Sequence, residues 1–215
     1  MLIAMSPRNE TAESVFALTF DDGPSRWTPA ILDLLAEHGV RATFFILGVS
    51  VAGREHILRR TLEEGHELGL HGWSHRRLNE LSNAEIEDEM LATQAAIEHL
   101  TGVVYHNWRP PYFEADKRVR LALAEAGLIE VGCTIAPEDY HWPAECTAAY
   151  VLKRLQPGAI VDLHDGRPPG SGSDPTRTAT VEALDLILRE MERLGLHGVP
   201  VSELPTSTLE IGGTT

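Results

Sequence analysis

Two carboxylates stand side by side at Asp21 and Asp22, within "TFDDGP" (Thr19–Pro24), at the end of the apolar run Val15-Phe16-Ala17-Leu18. Adjacent carboxylates repel, and taking either out of water is costly unless a cation or hydrogen-bond donors compensate. Asp, Gly and Pro also favour tight bends, so on these six residues alone a strand-ending turn is the simpler account. The chemical reading needs partners elsewhere, and the chain offers them. "HGWSH" sets His71 and His75 four apart, a spacing that brings two imidazoles to one side of a helical turn. With one carboxylate of the pair they form a set of two nitrogens and one oxygen, leaving a coordination position open for water as catalytic metal sites do. Zinc is the default ion; cobalt, nickel and manganese accept the same ligands. The other carboxylate then suits a base for the proton released when water attacks a carbonyl. His164 is the candidate acid for a leaving amine, held charged by a carboxylate such as Asp139.

Such a set works only if a fold brings it together. Strand-length runs occur at 15–20, 42–47, 67–71, 103–106, 129–135, 159–164 and 198–201, and amphipathic stretches at 28–37, 84–100 and 180–194 have a helical period. This strand-helix rhythm predicts an α/β fold with a parallel sheet, and seven short strands favour a distorted (β/α)7 barrel in one domain. Sites in such folds gather where strands end, since the following loops emerge on one face. Five of the seven runs finish in or lead to titratable or metal-binding residues: Asp21-Asp22, His71 to His75, Arg109 to Tyr112, Glu138 to Tyr140, and His164-Asp165. A Gly-rich dinucleotide fingerprint and a phosphate-binding P-loop are both missing.

A chain of 215 residues supports one sizeable core. We expect an N-terminal extension over 1–13, the domain over 14–205 and a tail over 206–215. The balance of 18 Lys+Arg against 32 Asp+Glu gives a net charge of -14, which repels phosphate backbones and anionic membrane surfaces. Nucleic acid and membrane are therefore not expected partners. No apolar run reaches membrane-spanning length, and "MLIAMSPRNE" lacks the basic start and apolar core of a secretory signal. The expectation is a cytoplasmic monomer, with Cys133 and Cys146 as reduced, buried thiols outside any disulfide framework.

The motifs resemble, in order and spacing, those of the polysaccharide deacetylases built on the NodB homology domain, carbohydrate esterase family four, from about Val15 to about Leu204. "TFDDGP" looks like the first motif, which implies Asp21 as catalytic base and Asp22 as metal ligand; "HGWSH" looks like the second, with His71 and His75 as the other ligands. "RPPY" is similar to the third, implying that Arg109 orients the base and that the Tyr112 amide helps hold the oxyanion. "PEDY" resembles the fourth, with Asp139 tuning the acid, and "DLHD" the fifth, with Leu163 lining the acetyl pocket and His164 as the acid. The resemblance also implies a distorted seven-stranded barrel, one divalent ion and an acetylated oligosaccharide as substrate. Chain length and the Gly-, Pro- and Ser-rich stretch "DGRPPGSGSDPTRT" after His164 resemble the nodulation-type chito-oligosaccharide deacetylases; that stretch is a linker or a substrate rim.

Leu70, Gly72, Phe113, Ala136 and Tyr140 depart from the family pattern, which bears on the pocket wall and hence on the substrate more than on the reaction. Trp73, Tyr112 and Tyr140, with Phe113 and Trp142, offer stacking faces for sugar rings, although each singly is more often core. The implied reaction is removal of N-acetyl groups from N-acetylglucosamine units. The alternatives are an O-acetyl xylan esterase or small-amide hydrolase on the same site, and a binding protein with a dead site, which intact ligands, base and acid oppose. A glycosidase is disfavoured because its carboxylates must flank a bond from two sides, and no Gly-x-Ser-x-Gly elbow supports a serine esterase.

Overall fold

The strand that carries the first of the paired aspartates, β1 (Val15–Asp21), is buried along its whole length and pairs with three other strands of the sheet. The computed structural model describes residues 14–170 and 176–205; the expected extension 1–13, the tail 206–215 and part of the Gly/Pro/Ser-rich stretch, 171–175, lie outside the described residues. Around β1 stand β2 (Thr43–Ile46), β3 (Glu67–Leu70), β4 (Asn107–Trp108), β5 (Ile129–Glu130), β6 (Ile160–His164) and β7 (His197–Gly198). All pairings are parallel, in the order β5-β4-β3-β2-β1-β6, and β7 pairs with the first residues of β1. Beyond β5 the chain reaches across to β6: Ile135 bridges Val161, and the Asp162 amide donates to the Ile135 carbonyl at 2.8 Å. The sheet thereby curls into a distorted barrel.

Helices α1 (Thr28–Glu37), α2 (Glu55–Glu63), α3 (Asn83–Thr101), α4 (Lys117–Glu125), α5 (Ala144–Arg154) and α6 (Thr178–Leu194) cover its outer face. Side chains alternate along a strand, and each strand divides between two cores. Phe16, Leu18 and Phe20 of β1 and Val161 and Leu163 of β6 pack in the large core with helix residues such as Leu35, Ile97 and Leu184. Val15, Ala17, Phe45 and Ile160 fill a smaller core inside the curl. The register then matters for chemistry, because laterally paired residues share a face. Thr19 is paired with Asp162 and Asp21 with His164, so four polar groups stack on the inner face at the carboxyl ends of two neighbouring strands.

Three predicted strands shift. Val103 and Val104, at the start of the expected strand 103–106, are exposed after α3, and β4 begins at Asn107. The run 129–135 pairs with β4 at Ile129 and Glu130, the Val131 amide still donating to the Trp108 carbonyl, before it leaves β4 for β6. The last strand lies at His197–Gly198, since Pro200 has no amide to continue the ladder and a 3₁₀ turn follows at Val201–Glu203. Both cysteines are free as expected, but Cys146 is exposed and Cys133 only half-buried. Among the described residues no helix is long and apolar enough to cross a membrane.

Candidate active site and metal centre

Strand β1 delivers both aspartates to the carboxyl end of the barrel; the backbone at Asp22 is left-handed (φ 74°), and both carboxylates come within 3.6 Å of His71 Nε2. A non-glycine residue in this region is uncommon and marks a local constraint. Gly23 follows because Asp165 packs against it: a Cβ there would stand 2.2 Å from Asp165 Oδ2. Asp165 is itself held by Thr28, whose hydroxyl donates to Oδ2 at 2.5 Å.

His71 and His75 converge on Asp22 by a route other than the expected helical turn. The segment is an irregular loop with Gly72 at φ 84° and His75 at φ 62°. It is pinned on both sides. The Gly48 and Val49 amides donate to the Gly72 and Trp73 carbonyls at 3.1 and 3.0 Å. On the other side Glu89 of α3 accepts from the Trp73 and Ser74 amides at 2.8 and 2.9 Å and from the Ser74 hydroxyl at 2.6 Å. Glu89 was not singled out in the sequence, though a signal existed. It lies between Ile86, Met90, Thr93 and Ile97 on the buried stripe of α3, where a carboxylate needs a reason to be.

The loop leaves His71 Nε2 3.6 Å and His75 Nε2 3.4 Å from the same oxygen, Asp22 Oδ1. That oxygen is buried and has no hydrogen-bond partner. The imidazoles are suited to coordinate rather than donate. His71 Nδ1 lies 2.8 Å from the Arg109 carbonyl, which can only accept, so Nδ1 carries a proton and Nε2 is the nitrogen turned to the site, with a lone pair to offer in the neutral ring. Burial, then the neighbouring His71, pulls His75 down to about 3, keeping it neutral. An unpaired buried carboxylate oxygen facing two imidazole nitrogens fits a divalent cation, and these are the residues that could hold one among the described residues.

Asp21 takes the other side. Burial would push its carboxyl up, but Arg109, His71 and His164 outweigh that and hold it below the usual carboxylate range. Arg109 Nη1 donates to Asp21 Oδ1 at 2.8 Å, while Oδ2 faces His71 Nε2 at 3.6 Å. For Asp22 the balance reverses: burial dominates and its carboxyl is raised, as an oxygen lacking a counter-charge should be. Opposite, His164 Nδ1 donates to Asp139 Oδ1 at 2.8 Å. Asp139 Oδ2 accepts from the His164 amide and the Thr180 hydroxyl at 3.0 and 2.7 Å, which leaves the carboxylate immobile. Burial alone would lower the His164 imidazole; the surrounding carboxylates, the Asp139 charge foremost, and the Asp139 hydrogen bond outweigh it and push it up to about 10. The ring is charged at neutral pH and keeps a small exposed edge, 17% of the side chain. The arrangement can hold a cation, accept a proton at Asp21 and deliver one from His164.

The expected aromatic residues all reach the surface. Trp73, Tyr112 and Tyr140 are 36%, 47% and 44% exposed. Tyr112, at φ 60°, lies against His75 with Arg77 over its ring, and Tyr140 lies edge-on to His164. Leu163 does not belong with them. Strand alternation turns it to the helix side of β6, where it is fully buried in the large core, so it cannot line an acetyl pocket. The inner-face neighbour of His164 is Asp162, which sequence reasoning passed over although it stands in the same "DLHD" at the alternating position.

A family profile described as polysaccharide deacetylase matches residues 8–131, which takes in Asp21, Asp22, His71, His75 and Arg109. The chain is 39% identical over 194 residues to the chitooligosaccharide deacetylase of Bradyrhizobium sp. (strain ANU 289), covering 87% of this chain and 89% of that protein. It is 36% identical over 208 residues to the peptidoglycan-N-acetylglucosamine deacetylase PgdA of Listeria monocytogenes serotype 1/2a (strain 10403S), covering 96% of this chain and 42% of that one. Among solved structures it is similar to the Xyl-CE4 domain of a multidomain xylanase from the hindgut metagenome of Trinervitermes trinervoides. There the TM-score is 0.80 at 31% identity, with 89% of each chain covered.

Proposed function

The chain belongs to the polysaccharide deacetylase family, and from that premise we propose that it is a metal-dependent hydrolase releasing acetate from N-acetylglucosamine units of chito-oligosaccharides or related glycans. The observation that carries the metal dependence is the buried, unpartnered Asp22 Oδ1 facing His71 and His75. A divalent ion held there, with zinc the default choice, supplies Lewis acidity at that corner when bound. The protein's own groups do the rest. Asp21, anchored through Oδ1 by Arg109, takes the proton of the attacking water at Oδ2. His164, charged by its pairing with Asp139, gives a proton to the departing amine. Trp73, Tyr112 and Tyr140 offer ring faces to the sugar at the rim, and the Tyr112 amide is assigned to the oxyanion.

The 39% identity to a chitooligosaccharide deacetylase along most of both chains supports an N-acetylated oligosaccharide over an O-acetylated xylan. The deciding experiment is mass spectrometry of a mixed panel of acetylated glycans after incubation with the metal-loaded protein. We expect the mass of one acetyl group to be lost from chito-oligosaccharides. Loss confined to acetylxylan would overturn the substrate, and no loss from any glycan would overturn the activity.

A further inference from the structure

Arg109 is fully buried, with its guanidinium 4.1 Å from the Phe45 ring centre. Its Nη1 donates to Thr19 Oγ1 at 2.7 Å, to Asp21 Oδ1 at 2.8 Å and to Asp162 Oδ1 at 3.0 Å, and Nη2 donates to the Gly132 carbonyl at 3.0 Å. One guanidinium nitrogen therefore serves two carboxylates, each almost wholly out of water. A single positive charge cannot compensate two buried negative ones, and where carboxylates share such a site one of them keeps its proton.

The surroundings decide which. Asp21 is paired across the sheet with the charged His164, a second cation beside Arg109. Asp162 makes its ion pair with Arg109 alone among the described residues. The charged groups around it divide: Asp21 and Asp139 oppose its ionisation, and His164 and Arg109 favour it. Burial tips the balance and pushes its carboxyl up to about 8.

We propose that Asp162 is a positioning residue for the deacetylation. As an uncharged acceptor it ties down Arg109 Nη1 and leaves the guanidinium charge to Asp21. The inference rests on Asp21 being the base. An ionised Asp162 would compete for the same charge, and without an acceptor at this position Arg109 would lose one of the contacts that aim it at Asp21.

Two substitutions separate the acceptor from the charge. Asp162→Asn keeps an oxygen for Nη1 without any charge, and Asp162→Ala removes both. In metal-loaded protein we expect Asp162→Asn to stay within about threefold of the wild-type kcat, and Asp162→Ala to lose about ten- to a hundredfold in kcat with KM nearly unchanged. Both should bind metal stoichiometrically. Infrared difference spectra of wild type against Asp162→Asn at neutral pH should show the C=O band of a protonated carboxylic acid in the wild type alone. Equal losses in the two variants would mean that the charge is needed, a wild-type rate in Asp162→Ala would remove the positioning role, and absence of the band would refute the uncharged state. If Asp162→Ala fails to fold, the rate of Asp162→Asn and the band still decide. If the wild type releases no acetate from any glycan, it is the proposed activity that fails, and the band still reports on Asp162.

Discussion

Replacing Asp139 by Asn should move the alkaline limb of the pH–rate profile while leaving the acid limb in place. At 2.8 Å, a carboxylate attracts an imidazolium by on the order of 6 kcal/mol at an effective dielectric constant of about 20. That is roughly four decades of proton affinity at about 1.36 kcal/mol per decade. Burial opposes it, and the balance leaves His164 at about 10. The asparagine keeps an oxygen for the Nδ1–H to bond, so the ring stays oriented while the charge is lost. The midpoint then falls toward the ordinary histidine value of about 6.5. The sign follows from the role: the acid must be protonated to act. Wild type keeps its rate until pH approaches 10, whereas the variant begins to lose rate near pH 6.5, and at pH 8 only about one molecule in thirty carries the proton. We expect kcat/KM for acetate release from an N-acetylated oligosaccharide to drop roughly thirtyfold at pH 8, with the two enzymes converging near pH 5.5. A uniform loss at every pH, with the alkaline limb unmoved, would show that Asp139 orients the ring without tuning it.

Asp21→Asn should retain stoichiometric metal by elemental analysis and lose about a hundred- to ten-thousandfold in turnover; near wild-type rates would mean that the proton goes elsewhere, Asp22 being the first candidate. His75→Ala should lose metal and activity together, and a variant that still held one ion per chain would remove His75 from the ligand set. Glu89→Ala leaves the Trp73 and Ser74 amides without their acceptor, so the loop between the two histidines loosens. Metal affinity, measured by competition with a chelator, should fall about ten- to a hundredfold while the ligands themselves remain.

Much of the site was legible as residue types. The paired aspartates, the two histidines four apart and His164 all stood at the ends of strand-length runs, and helices such as α3 and α6 showed their period within a few residues of where they lie. These are local properties: a strand or helix leaves its alternation in the chain that forms it. The tertiary structure decided what local pattern leaves open. Alternation in "IVDLH" is visible, but not which set faces inward; pairing of β6 with β1 settles that, turning Leu163 toward the helices and bringing Asp162 beneath His164. The four-residue spacing of His71 and His75 suggested a helical turn, yet convergence came from a left-handed loop that Glu89 holds from another element. The division of labour between Asp21 and Asp22 likewise depends on partners 50 to more than 140 residues away, Arg109, His71 and the β6 register. A carboxylate's role is set by the charges and donors within a few ångströms of it, and those are assembled by strand pairing across the barrel rather than by neighbours in the chain.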